Sequence, residues 1–311
     1  ESCEESGSYD LPSYIDHLSD EIGEPDLVIC LDAECGNYDQ LWLTTSLRGT
    51  LSGTLNVEVL SEGVHSGAAG GIVPSSFRLL RQLLDRVENA VSGELVNFLQ
   101  VPITADVRAQ ADQVASTLGP TVLDRFPWSG STRPTATSSS ELVIANTWGS
   151  SMAVVGLAGA PDPSDAGNTL RPSTAAKLVF RLPPSLDADE AANRVKSTFE
   201  KDPPQGATVS FSLDSPQTGW HANSLSPSLL TSLEQSSETF FGAPMMTMGT
   251  GGTIPFMKML GDRFPACHFF VTGVLGPHSN AHGPNEFLHV DTGKRVTCCV
   301  AQVLADRALT P

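Results

Sequence analysis

The spacing of apolar and polar residues divides the chain into segments of two characters. Residues 26–32 form a continuous apolar run closed by an aspartate, which is typical of a strand buried on both faces of an α/β sheet. From residue 41 to residue 59 apolar and polar positions alternate, as in strands of a sheet with one exposed face. Residues 266–274 return to the apolar pattern, and residues 291–309 have the pattern of a terminal helix.

These changes of pattern predict one domain interrupted by another. Residues 1–46 and 221–311 are expected to form the two parts of an α/β domain. Residues 47–220 are expected to form an inserted α+β domain, with a sheet covered by helices on one side.

Composition and charge exclude several classes of protein. The chain has 311 residues, of which 40% are hydrophobic and 17% charged, so it should fold around a sizeable core. Its net charge of −17 is unfavourable for binding nucleic acid, and no apolar run reaches the roughly 20 residues that a membrane helix needs. Six cysteines are too few for a disulfide scaffold, so we expect reduced thiols and a cytoplasmic protein.

Several polar residues are candidates for chemistry. Glu4 and Glu5 are adjacent carboxylates in a Gly/Ser loop, and Asp32 closes the first apolar strand. His282 lies in a turn that is rich in Asn, Glu and His, and imidazole with carboxylate is the donor set that zinc prefers. Each of these candidates also has a purely structural interpretation. Adjacent acidic residues are common in solvated turns, and a single histidine is usually a surface residue.

The middle segment and the last third offer further candidates. His65 lies in a glycine-containing loop, and Arg181 lies on a predicted strand. Thr169 belongs to a short polar loop, while residues 249–255 form a weak anion-binding pattern that lacks the lysine of a phosphate loop.

The order of these motifs resembles that of the M20 metallopeptidases with two zinc ions, most of all the carnosinase and cytosolic nonspecific dipeptidase branch. The matching stretches, in family order, are Glu4-Glu5-Ser6-Gly7-Ser8, the strand ending in Asp32, Ser46-Leu47-Arg48-Gly49, His65-Ser66-Gly67, Phe180-Arg181-Leu182, Gly251-Gly252-Thr253-Ile254-Pro255 and Ala281-His282-Gly283-Pro284-Asn285-Glu286. The resemblance implies a three-layer α/β/α catalytic domain, interrupted by a two-layer lid and dimerisation domain.

The resemblance also implies roles at the reacting centre. Glu4 would be the general base, and Glu5, Asp32 and His282 would bind two Zn²⁺ ions, with Mn²⁺ as a possible replacement. The substrate would be a dipeptide, a short peptide or an N-acyl amino acid.

The lid domain would contribute the remaining groups. His65 would reach the partner subunit's site of a homodimer and polarise the scissile carbonyl, while Arg181, Thr169 and Thr253 would hold the substrate's carboxylate end. Thr253 departs from the serine of close dipeptidases, and residues 213–220 lack the histidine and extra glycines that those relatives carry before the tryptophan.

One part of the family pattern is missing from this sequence. The His-x-Asp segment and the metal-bridging Asp that the family places before the glutamate pair do not occur here, so we expect an N-terminally truncated and inactive fragment of a longer enzyme. Two alternatives stay open: an aminoacylase or carbamoylase of the same family, and a non-catalytic dimerisation or binding module.

Overall fold

The computed structural model describes residues 4–309. Its helices are α1 (Leu11–His17), α2 (Ser19–Ile22), α3 (Ser66–Ala69), α4 (Ser76–Leu84), α5 (Ala105–Leu118), α6 (Thr121–Asp124), α7 (Ser139–Thr147), α8 (Ala188–Glu200), α9 (Pro227–Phe241), α10 (Pro255–Arg263) and α11 (Val290–Leu309). Its strands are β1 (Leu27–Cys30), β2 (Trp42–Leu47), β3 (Gly49–Glu58), β4 (Val64–His65), β5 (Ser151–Ala158), β6 (Thr169–Leu170), β7 (Ser173–Leu182), β8 (Thr208–Leu213), β9 (Trp220–His221), β10 (Met246–Thr250) and β11 (His268–Val271). Single turns of 3₁₀ helix occur at Glu4–Ser6, Asn97–Leu99, Pro163–Asp165 and Pro204–Gly206.

The chain folds into two units, each made of discontinuous segments. The first unit contains the residues up to Leu47, residues 103–147 and the residues from Trp220 onward. The second contains residues 48–102 and 148–219. The segments of the two units therefore alternate along the sequence.

The first unit is built on parallel strands. β1 pairs in parallel with β11, and β10 pairs in parallel with β2, whose other side carries the short antiparallel strand β9. The neighbours Phe269 and Phe270 on β11 belong to apolar clusters on opposite faces. One cluster includes Met257 and Leu260 of α10, and the other includes residues of α9 and α11. This arrangement is the predicted three-layer α/β/α fold.

Residues 103–147 pack with the first unit rather than with the second. Gln110 of α5 donates from Nε2 to Oγ1 of Thr45, at 3.0 Å, and to Oγ1 of Thr247, at 2.8 Å, on β2 and β10. The predicted insertion, residues 47–220, thus spans the whole second unit but also includes these helices of the first.

The second unit is a two-layer α+β fold. Its main sheet has the strand order β5-β7-β3-β8, and all its pairs are antiparallel. Along β3 and β7 every second residue is buried, and those side chains pack with α4 and α8 on one face of the sheet. The alternation in the sequence is therefore the direct cause of the two-layer structure.

Two general properties of the described chain concern its helices and its cysteines. No helix within residues 4–309 is both long and apolar enough to cross a membrane. The described cysteines with free thiols are Cys30, Cys35, Cys267, Cys298 and Cys299.

Candidate active site

A cleft of about 730 Å³ opens in the first unit where its parallel strands end. It is lined by the residues that follow β1, including Asp32, and by the residues that follow β10, including Thr253. Glu4 and His282 also line it. Open α/β sheets build their sites at the carboxyl ends of the strands, and the sequence supplies its candidate polar groups there.

The segments after β1 and β11 approach each other closely because one of them carries a glycine. A Cβ atom at Gly273 would lie 1.8 Å from the carbonyl oxygen of Ala33, so only glycine fits between them. Beyond this point Glu34 bridges to Leu275 in parallel, and the Cys35 amide donates to the Leu275 carbonyl at 3.0 Å. The close approach brings Asp32 and the loop after β11 to the same cleft.

Two carboxylates that line the cleft, those of Glu4 and Asp32, affect the pKa of one thiol. Burial raises the pKa of Cys30, and the negative charges of Asp32 and Glu4 raise it further, against a backbone hydrogen bond that lowers it. Glu4 and Asp32 are therefore near enough to share the electrostatic environment of the last residue of β1.

Donor chemistry at the cleft suits zinc, but the described residues do not complete a zinc site. Carboxylate oxygens of Glu4 and Asp32 and the imidazole of His282 are zinc-type donors. Within the described part of the chain, however, no group of three or more His, Cys, Asp or Glu side chains is arranged to hold a metal ion. The side chain of Glu5, the other predicted ligand, lies outside the described residues.

Two predicted residues of the second unit lie opposite each other. His65 on β4 is the register partner of Thr169 on β6. His65 is exposed, and its Nδ1 accepts a hydrogen bond from the Gly67 amide at 3.2 Å. The sequence separates these two residues by more than a hundred positions, and the structure joins them in one short ladder.

Arg181, the third candidate of the second unit, has a second arginine beside it. It stands between Thr50 of β3 and Ser151 of β5 in the register of the sheet. Arg48 is 6% exposed and donates from its guanidinium to the Gly149 carbonyl at 3.2 Å and to Ser151 Oγ at 3.4 Å. Burial, and then the charge of Arg181, lower the pKa of Arg48 to about 10. This end of the sheet is suited to anionic groups.

Three residues at these places have no role predicted from the sequence, although Arg48 lies within one of the matching family stretches. Glu34 and Leu288 line the cleft, and Arg48 neighbours Arg181. A signal for Glu34 was present, since it follows Asp32 at the same strand end, whereas nothing in the local sequence marks Leu288.

Comparison with known proteins identifies the family of the chain. Residues 45–207, more than half of the chain, match the M20 peptidase dimerisation domain. The chain belongs to the M20 peptidase family. The resemblance inferred from the motifs is thus confirmed for this M20 chain.

Individual relatives agree with this assignment. A cysteinylglycine-S-conjugate dipeptidase of Corynebacterium striatum is 26% identical over 264 residues, which cover 84% of the M20 chain. The dipeptidase Dug1p of Saccharomyces cerevisiae has a TM-score of 0.79 at 19% identity over 100% of the chain. Human carnosine dipeptidase 1 has a TM-score of 0.75 at 18% identity over 99% of the chain. These two structures support the fold.

The M20 chain spans only part of these relatives. It covers 56% of the Corynebacterium enzyme, 65% of the Dug1p chain and 66% of the human chain.

Proposed function

We propose that the protein hydrolyses the amide bond of dipeptides or short peptides. The observation that carries this proposal is that one cleft of an M20 chain is lined by Glu4, Asp32 and His282, at the carboxyl ends of parallel strands. Two relatives are dipeptidases, a cysteinylglycine-S-conjugate dipeptidase and the dipeptidase Dug1p, and they suggest the substrate class.

Glu4 is proposed as the general base of this reaction. Its carboxylate would take a proton from the water whose oxygen attacks the scissile carbonyl carbon. The same proton would then pass to the amine nitrogen as the carbon–nitrogen bond breaks, so that one carboxylate serves both steps.

The groups of the second unit are proposed to bind and polarise the substrate. Arg181, whose charge acts on the neighbouring Arg48, would hold a terminal carboxylate, and Thr169 would add a hydroxyl. Thr253 of the first unit would add another. His65 would donate a hydrogen bond to the carbonyl oxygen of a substrate held by the partner subunit.

Hydrolysis is proposed to depend on a divalent metal ion. Imidazole and carboxylate donors suit Zn²⁺, and Mn²⁺ is the proposed replacement. Asp32, His282 and Glu5 would supply part of the ligand set of two ions. The described residues do not complete that set, and the family resemblance places its remaining donors before Glu4.

A homodimer through the second unit is the proposed assembly, and β5 is its proposed contact. β5 is an edge strand, and its Val154, Val155 and Leu157 are 50%, 61% and 53% exposed. On the neighbouring strand β7, Val154 pairs with Leu178 and Leu157 pairs with Ala176, and Leu178 and Ala176 are fully buried. The side chains of Val154 and Leu157 therefore extend the apolar face that the helices cover. An unpaired apolar edge fits the same edge of a second copy under twofold symmetry.

Substrate profiling of the full-length gene product tests the proposed reaction. We expect release of amino acids from dipeptides that stops after exhaustive chelation and returns when Zn²⁺ or Mn²⁺ is added. Faster hydrolysis of N-acyl or N-carbamoyl amino acids would favour the aminoacylase or carbamoylase alternative. No hydrolysis of either class by a folded, metal-loaded protein would favour a binding module.

A further inference from the structure

Tyr38 contacts both ends of the loop that carries His282. Its hydroxyl donates a hydrogen bond to the carbonyl oxygen of Pro277, at 3.0 Å, where the loop begins. Its ring stacks on the imidazole of His289, with 4.3 Å between the ring centroids and 13° between the ring planes, where the loop ends. One side chain therefore fixes two points that are twelve residues apart in the chain.

The approach of Tyr38 to the loop is close enough to require a glycine. A Cβ atom at Gly276 would lie 2.4 Å from Cε1 of the Tyr38 ring and 2.8 Å from the Cys35 sulfur. At the other end, His289 is itself held, because its Nδ1 lies 2.8 Å from Oγ1 of Thr292, which is 1% exposed at the start of α11. The ring of Tyr38 therefore packs against Gly276 at the start of the loop and against the hydrogen-bonded His289 at its end.

The backbone of the loop between these ends adopts an unfavourable conformation. Four of its residues that are not glycine have left-handed φ angles: His278, Asn280, His282 and Asn285, at 66°, 58°, 57° and 60°. Each left-handed residue with a side chain costs free energy that contacts of the folded loop must offset. Inside the loop, the Gly283 amide donates to the Asn280 carbonyl at 2.8 Å and the Phe287 amide to the Ser279 carbonyl at 3.2 Å.

We infer that Tyr38 is a positioning residue, which holds both ends of the loop of residues 276–289 and thereby sets where His282 and Glu286 lie in the cleft wall. Tyr38 does not line the cleft, whereas Ala281, His282 and Glu286 do. Its effect on the cleft acts through the loop. The inference that this placement matters for hydrolysis rests on the proposed function.

Hydrogen–deuterium exchange of the purified chain tests the placement without any need for catalysis. Tyr38→Phe removes only the hydroxyl, keeps the stacked ring and should leave the fold intact. We expect the amides of residues 278–287, apart from Pro284, to exchange about fivefold faster, the effect of losing one hydrogen bond. Tyr14→Phe, the same change at a tyrosine that is 57% exposed on α1, is the matched control and should change nothing in this loop.

A second measurement reports directly on His282. In a protein labelled at the histidine rings, the nuclear magnetic resonance signal of His282, assigned by its loss in His282→Gln, should shift in Tyr38→Phe and stay unchanged in Tyr14→Phe. Loop exchange and a His282 signal that are the same in Tyr38→Phe and Tyr14→Phe would overturn the inference. A loop effect in a full-length protein that hydrolyses no peptide would refute the proposed function and leave the role of Tyr38 in the loop standing.

Discussion

The backbone amide of His282 donates a hydrogen bond to Oε2 of Glu286, with 2.9 Å between nitrogen and oxygen. Both residues line the cleft, so this bond links a predicted zinc ligand to a neighbouring carboxylate of the cleft. A carboxylate that accepts from an amide in a left-handed turn also stabilises the backbone that places the histidine.

Removing this acceptor should loosen the cleft wall. We expect Glu286→Ala to raise the hydrogen exchange of the His282 amide several-fold, because the amide loses its charged acceptor. Glu286→Gln keeps an acceptor oxygen and should show a smaller rise. Equal exchange in Glu286→Ala and the parent chain would mean that the bond does not hold the turn.

Packing in the second unit should not tolerate a side chain at Gly53. A Cβ atom there would lie 2.6 Å from Cζ of Phe211 and 2.8 Å from the backbone oxygen of Ser212. We therefore expect Gly53→Ala to lower the free energy of unfolding by about 1–3 kcal/mol in chemical denaturation. Gly167→Ala, where a Cβ would meet no atom within 4 Å, should stay within about 0.5 kcal/mol. Similar losses in both variants would contradict the packing argument.

Stability at acid pH should depend in part on Asp214. Hydrogen bonds from Lys177 and then Ser52 lower the pKa of its carboxyl group. A carboxyl whose pKa is lower in the folded state stabilises the protein above its unfolded-state pKa of about 3.9, and this contribution is lost as the pH falls through the folded-state pKa.

Asp214→Asn should therefore lower the free energy of unfolding near neutral pH, and the difference from the parent chain should shrink below pH about 4. Because the Asp214 side chain is 47% exposed, solvent screening keeps the effect below about 1 kcal/mol. Denaturation curves across this pH range measure it, with the exposed Asp112→Asn as control. A difference that grows toward acid pH would have the wrong sign.

The proposed dimer contact can be tested at β5. Val154→Glu places a charge on the exposed apolar edge and should convert a dimer into monomers in sedimentation or light scattering. Val91→Glu makes the same change at a valine of the second unit that is 97% exposed and lies outside the sheet, so it should leave the dimer intact. Dimers that persist in Val154→Glu would place the contact elsewhere.

The layered architecture could be predicted because burial is encoded locally. The alternation along residues 49–58 follows from a sheet with one covered face, and the buried positions of β3 are its odd-numbered residues. The apolar run that ends in Asp32 predicted β1, and the helical pattern of residues 291–309 predicted α11, which begins one residue earlier. In each case one element's own side chains carry the signal.

Contacts between distant segments could not be predicted in this way. The helices of residues 103–147 join the first unit partly through the polar side chain of Gln110, which leaves no apolar periodicity to detect. The stacking of Tyr38 on His289 joins residues 251 positions apart, and the arginine pair of Arg48 and Arg181 depends on strand register. The family motifs indicated the candidate site, but only the folded chain shows which of those residues share a cleft.

Glu4 is proposed to carry the proton of a peptide hydrolysis at this cleft, and a comparison of two carboxylates of the cleft tests this role most directly. Glu4 and Glu34 both line the cleft, and replacing either by Gln removes one negative charge with little change of shape. In the full-length protein acting on a dipeptide, we predict that Glu4→Gln lowers kcat at least about a hundredfold and that Glu34→Gln retains most of it. Undiminished turnover in Glu4→Gln would contradict the account.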